Sequence, residues 1–178
     1  MKQTITEYES IIKKCEDIFA KKLKDYGTAW RILRISSLTD QIFIKAQRIR
    51  SIDQKGTQKI NEDISNEYVG IINYSIIGLI QLELGVAEHA EELSFSNAMG
   101  LFSQYANQAK RLMSDKNHDY DEAWKDMRIS SLTDLILQKL LRVKQIENNE
   151  GETLISEGID ANYLDMINYA VFALIKTK

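Results

Sequence analysis

The heptapeptide Arg34-Ile35-Ser36-Ser37-Leu38-Thr39-Asp40 recurs unchanged from Arg128 to Asp134, at the centre of a duplication that spans most of the chain. At an offset of 94, Asp25–Lys55 and Asp119–Asn149 agree at 15 of 31 positions, among them Asp25/Asp119, Tyr26/Tyr120, Ala29/Ala123 and Trp30/Trp124. One inserted residue near Gly56 and Gly151 shifts the register, and the match resumes through Glu62/Glu157, Tyr68/Tyr163, Asn73/Asn168, Tyr74/Tyr169 and Leu79/Leu174. Such a chain folds as two like units, residues 1–90 and 91–178, packed as one globular body around a shared core. A polar residue kept in both copies has survived the drift that altered its neighbours. It is therefore a better site candidate than one that occurs once, although preservation of a common fold explains it equally well.

Proline is absent and glycine occurs only 8 times in 178 residues. Average proline usage is about 5%, so the loss of the residue that breaks helix interiors predicts an all-α chain. A formal charge of −3 with 28% charged residues describes an ordinary polar surface and offers no basic excess for a nucleic-acid backbone. The single cysteine, Cys15, excludes an internal disulfide and a Cys-based zinc cluster, and suits a reducing compartment. The leading residues lack the apolar core of a signal peptide, and no stretch reaches the roughly 18 apolar residues of a membrane span. The expectation is a cytoplasmic protein with no membrane contact.

Each copy reads as helix, polar loop, helix, short loop, helix, about six helices in all. The first helices are predicted over residues 6–24 and 96–114, where Ile11, Cys15, Ile18, Phe19 and Leu23 in one copy and Leu101, Tyr105, Ala109 and Leu112 in the other fall at helical spacing. The middle helices are predicted over 38–53 and 132–147. Ser37 and Ser131 precede Asp40 and Asp134 by three residues, the pattern of a capping box, which gives these four a structural alternative to any chemical role. The third helices are predicted from 61 and 156, the earlier one reaching Gly85 before an acidic connector, residues 88–93.

At 3.6 residues per turn, Leu38, Ile42, Ile49 and Ile52 form an apolar stripe that contains Lys45, and Leu132, Ile136, Val143 and Ile146 form the same stripe around Lys139. Arg48 and Arg142 border it. A lysine in an apolar stripe is costly to desolvate without a partner, so a negative group must lie opposite, either a carboxylate of the protein or a bound anion such as phosphate. The third helix carries candidate acids: Glu157, Asp165 and Asn168 share a face, and copy one keeps Glu62 and Asn73 there but has Gly70 in place of Asp165. Asp165 and Asn168, three residues apart, can meet one hard cation; Glu157 lies about 12 Å further along the axis. Copy two is on this ground the better equipped for a metal. The competing explanation makes the asparagines backbone partners inside the bundle and the glutamates first-turn acids favoured by the helix dipole. The pairs Tyr26/Trp30 and Tyr120/Trp124, at i and i+4, could stack on a planar base or anchor a loop. No glycine-rich phosphate loop, nucleophile elbow or HExxH motif occurs.

The run Lys116-Asn117-His118-Asp119-Tyr120-Asp121-Glu122-Ala123-Trp124, the Arg, Ser, Asp, Lys and Arg series that follows, and Glu157 leading to Asp165-Met166-Ile167-Asn168-Tyr169-Ala170 resemble the nucleotide modification associated domain, a small all-α domain of phages and bacteria. Both copies match. The resemblance implies a link to nucleotide metabolism or modification. More distantly it suggests the all-α nucleoside triphosphate pyrophosphohydrolases, whose carboxylates hold magnesium while basic residues meet the triphosphate. The matching positions are Asp119, Tyr120, Arg128, Asp134, Lys139, Arg142, Glu157, Asp165 and Asn168 in copy two. In copy one they are Asp25, Tyr26, Arg34, Asp40, Lys45, Arg48, Glu62 and Asn73. Asp121 departs from the glycine usual after the Asp-Tyr pair, Gly70 from the usual acid, and Asn66 and Ala161 from a second acid. That thinning of carboxylates weighs against hydrolysis.

The expected function is a nucleotide-binding protein, extending to a magnesium-dependent phosphohydrolase. Lys45, Arg48, Lys139 and Arg142 would meet phosphates, Glu62, Glu157 and Asp165 would hold Mg2+, and Tyr26, Trp30, Tyr120 and Trp124 would flank a base. The alternative is a non-catalytic interaction or scaffold module whose internal charges pair with one another. Self-association of the chain is compatible with either.

Overall fold

Six helices account for the architecture: α1 (Lys2–Tyr26), α2 (Ile35–Lys55), α3 (Ile64–Leu84), α4 (Phe95–Tyr120), α5 (Ile129–Asn148) and α6 (Ile159–Lys176). The computed structural model describes residues 1–178, apart from the side chain of Glu91. Short 3-10 turns at Ala29–Ile32 and Ala123–Asp126 follow α1 and α4, and another at Ala90–Glu92 lies in the connector. The all-α expectation holds, with three helices per copy.

Burial explains the layering. α1 buries Tyr8, Ile11, Cys15, Phe19 and Leu23, one stripe at three- and four-residue spacing, and leaves its other face to water. α2 and α5 bury the matching stripes Leu38, Ile42, Ala46, Ile49 and Leu132, Ile136, Leu140, Val143. α3 and α6 are apolar nearly all round, α3 burying Val69, Ile71, Ile72, Ile76 and Ile80, so they occupy the middle. α3 packs on α6 and α2 on α5 across the copies, while α2–α3 and α5–α6 pack within them. α1 reaches across to α6 and α4 reaches across to α3, so neither copy closes its own core.

Reciprocal contacts make the pseudo-two-fold relation explicit. The Tyr68 hydroxyl lies 2.8 Å from Thr133 Oγ1, and the Tyr163 hydroxyl lies 2.8 Å from Thr39 Oγ1. At the surface, Arg50 pairs with Asp134 at 3.6 Å and its counterpart Lys144 with Asp40 at 3.3 Å. Asn73 and Asn168 each donate to a first-helix carbonyl of their own copy, Cys15 at 3.2 Å and Ala109 at 3.1 Å.

Helix ends depart from the expected ones in an instructive way. α2 and α5 begin at Ile35 and Ile129, a turn before the expected starts, with Arg34 and Arg128 at the N-cap and no side-chain cap bond. Ser37 and Ser131 are therefore not caps, and Asp40 and Asp134 are spent on the ion pairs between copies. Asp63 caps α3 through Ser65 N–H and Ser94 caps α4 through Asn97 N–H. α1 ends on Gly27 with φ 61° and ψ −148°, a region open to glycine alone, whereas α4 ends on Asp121 with φ 50° and ψ 42°, a left-handed conformation that Asp tolerates. Glu122 follows with φ 56°. Its carboxylate meets Thr4 Oγ1 and Lys125, fastening the start of α1 to copy two.

Candidate functional site

Copy one holds an open cleft of about 740 Å3 between the end of α1, the turn after it, α2 and α3. Tyr26, Trp30, Lys22, Lys45, Asn66 and Tyr74 are among the residues that line it. Tyr26 stands exposed at the rim, while Trp30 is half-buried against Phe19. Lys45 rises from the apolar stripe of α2, with its Nζ 5.8 Å from the Tyr74 ring centroid and 3.6 Å from Glu67 Oε2. Arg48 holds the other oxygen of Glu67 at 2.9 Å and also donates to the carbonyls of Ile60 and Glu62, pinning the α2–α3 loop.

Copy two answers the same electrostatic need with a different residue. Lys139 Nζ and Lys116 Nζ each stand 2.7 Å from one oxygen of Asp165, whose side chain is only 6% exposed. Burial pulls the Lys116 pKa down, but the hydrogen bond and charge of Asp165 outweigh it and leave the ammonium above its usual value. Asn162 stands where copy one has Glu67, and Gly70 stands where copy two has Asp165. The acid has moved one helical turn between copies while the lysine has stayed. Arg142, the counterpart of Arg48, makes no ion pair or hydrogen bond among the described residues and lines a separate surface cleft with Glu157.

The aromatic pairs diverge too. Trp124 is buried and stacked on Phe172, with ring centroids 4.2 Å apart and planes 4° from parallel. Ile77, on the wall of the copy-one cleft, is the counterpart of Phe172, so Trp30 has no such lid. Tyr120 is exposed like Tyr26. Trp124 is thus a packing anchor and cannot flank a base, which corrects the expectation for that residue.

The expected metal ligands are not brought together. Glu62 borders the copy-one cleft, Glu157 the separate cleft beside Arg142, and both oxygens of Asp165 are taken by ammonium groups. Among the described residues no group of three or more His, Cys, Asp or Glu could hold a metal ion. These side chains do not fit a protein-built magnesium site, and copy two, the better equipped by residue type, is the more occupied. The lysines do have carboxylates opposite: for Lys139 it is Asp165, one of the expected third-helix acids, and for Lys45 it is Glu67 in place of Glu62.

The remaining sequence-derived positions scatter. Asp25 is exposed, and among the described residues Asp119 pairs only with the neighbouring His118 at 3.1 Å. Arg34 and Arg128 lie exposed at the starts of α2 and α5. Asn168 is fully employed, since its Oδ1 also accepts from the Tyr8 hydroxyl at 2.7 Å, whereas Asn73 Oδ1 is buried without a partner. Three residues of the site escaped the sequence argument. Glu67 is absent from copy two, so a search for shared residues passes over it. Lys22 and Lys116 are shared, but lie three residues before the strongly matching segments that begin at Asp25 and Asp119.

The sequence pattern of nucleotide modification associated domain 1 matches residues 22–82 and 116–177, once per copy, and together these cover more than half of the chain. The chain belongs to this family. Both matched segments of the nucleotide modification associated domain open on the lysines that flank the site, Lys22 and Lys116. No curated protein and no solved structure matches the chain. Among the described residues no helix is long and apolar enough to cross a membrane.

Proposed function

We propose that this nucleotide modification associated domain protein binds a nucleotide, and that it does so in copy one. The observation that carries the reading is the copy-one cleft, in which the Lys45 ammonium lies within the same 740 Å3 space as Tyr26 and Trp30. Small-molecule sites span about 300–1,000 Å3 and combine apolar walls with a few placed polar groups. A half-buried indole and an exposed phenol can flank a base, and lysines can meet its phosphates. The ligand class is a nucleotide or another phosphate-bearing small molecule, met in the cytoplasm. Glu67 and Asp165 are committed to cationic side chains, so neither would hold magnesium in this reading. Nothing in the carboxylate arrangement supports hydrolysis.

A second reading, an interaction or scaffold module, draws support from one observation: both stripe lysines already have internal carboxylate partners. The two separate in a melting experiment with nucleoside mono-, di- and triphosphates, with and without magnesium. A ligand specific for the folded state adds about 2.7 kcal/mol of stability at a hundred times its dissociation constant. A selective rise in melting temperature that Lys45→Ala and Trp30→Ala remove supports the nucleotide site. A flat response at millimolar ligand rejects it and leaves the scaffold.

A further inference from the structure

Pseudo-symmetry supplies a stand-in for a ligand. In copy two the Asp165 carboxylate is clamped by Lys116 and Lys139, each at 2.7 Å. The counterparts of these lysines are Lys22 and Lys45, and both line the open cleft of copy one. The counterpart of Asp165 is Gly70, so the protein brings no carboxylate of its own to that point. A Cβ built on Gly70 would lie 2.7 Å from Lys45 Cδ and Cε and 3.1 Å from its Nζ, so the flexible lysine lies over the bare backbone there and swings aside when a group takes the position of Asp165. Lys22 has no ion-pair or hydrogen-bond partner among the described residues, and Lys45 has Glu67 only at 3.6 Å.

We infer that copy one contains a single oxyanion seat over Gly70, between Lys22 and Lys45, which takes a phosphate group of the ligand in the place that Asp165 fills in copy two. The inference rests on the nucleotide reading only for what is attached to that phosphate. The seat differs from the one expected from the stripe alone, because Arg48 belongs to Glu67 and the α2–α3 loop, while Lys22 joins from α1. Two lysines lining one cleft suit a phosphate, whose oxygens can accept from both at once. Copy two cannot take the same group, because its own side chain is already there. The stoichiometry is therefore one anion per chain.

The test uses the full chain with orthophosphate, pyrophosphate and nucleoside mono- and triphosphates, read by calorimetric titration and melting temperature. Gly70→Asp transfers copy two's aspartate into copy one. It should raise the melting temperature of the ligand-free protein and weaken anion binding at least tenfold, as the new carboxylate competes for the seat. Lys22→Ala, at an exposed position that leaves the core untouched, should weaken binding to a similar degree without the gain in stability. Asp165→Gly should bring a second anion per chain. Anion binding by the wild type that neither Lys22→Ala nor Gly70→Asp changes overturns the seat while leaving a nucleotide site standing. Binding of inorganic phosphate that a nucleoside does not improve keeps the seat and removes the nucleotide reading. An absence of binding by every anion in the series overturns both.

Discussion

Tyr68 of copy one and Thr133 of copy two share a buried 2.8 Å hydrogen bond, and Tyr163 and Thr39 repeat it with the copies exchanged. These four side chains sit where α2, α3, α5 and α6 meet, and each hydroxyl satisfies one that the other copy buries. Tyr68→Phe and Tyr163→Phe should each lower stability by about 1 kcal/mol, the usual net contribution of one intramolecular hydrogen bond. Tyr163→Phe should cost the less, because Thr39 retains Glu147 at 3.1 Å, whereas Thr133 retains only the longer bond to the Ile129 carbonyl at 3.4 Å. Urea unfolding of the two single variants checks the order.

Tyr8 and Phe102 occupy equivalent positions on α1 and α4, and only Tyr8 has a hydroxyl to give. It satisfies Asn168 Oδ1, while Asn73 Oδ1 stays without a partner. Tyr8→Phe should therefore cost about 1–3 kcal/mol by orphaning a buried acceptor. Phe102→Tyr should be neutral or stabilising despite full burial, because the added hydroxyl meets an acceptor already in need of it. A loss of more than 1 kcal/mol in Phe102→Tyr, by chemical denaturation, would show that the core overpacks before the bond forms.

Lys139 and Lys45 should respond differently to truncation. Lys139 is 9% exposed and bonded to a buried carboxylate, so Lys139→Ala should cost about 3 kcal/mol, the lower part of the range for breaking a buried pair, since Lys116 still holds Asp165. Lys45→Ala should cost less. Its side chain is 26% exposed, and Glu67 keeps Arg48. A double variant, Lys139→Met with Asp165→Leu, should recover most of the loss, which thermal unfolding can verify.

Glu122 ties stability to acid. The Thr4 hydroxyl and Lys125 draw its pKa from the ordinary 4.5 down to about 2 against the opposing effect of burial. A carboxyl lowered by folding stabilises fully above its unfolded pKa, and that contribution fades as pH falls through the folded one. Glu122→Gln should melt below the wild type at pH 7, and the gap should close between pH 4.5 and pH 2. A gap that stays constant over this window would assign the effect to shape rather than charge.

Much of this was legible in the residues. The repeat, the absence of proline and the stripe spacing define six helices in two like units, and the lysine inside each stripe demands the carboxylate found opposite. Asp165 was legible as an acid on the third helix, whereas Glu67 was hidden because the copies place the acid differently: Glu67 faces Asn162 in the alignment and Gly70 faces Asp165. A criterion of shared residues is blind to a charge that shifts by one turn while conserving the balance. Ser37 and Ser131 misled for another reason. An early helix start costs nothing when Ile35 and Ile129 are packed against the core, and tertiary burial outweighs the local capping signal. Trp124 could not be told from Trp30 locally, since the difference lies in Phe172 against Ile77, far along the chain.

The glycine and aspartate at positions 70 and 165 show what covalent fusion makes available. In an association of two identical chains, a substitution on one side appears on the other, so both clefts are open or both are plugged. Joined in one polypeptide, the halves are inherited separately. One keeps an aspartate clamped between two lysines at this position, and its twin leaves the position bare and braces its lysine from a turn away.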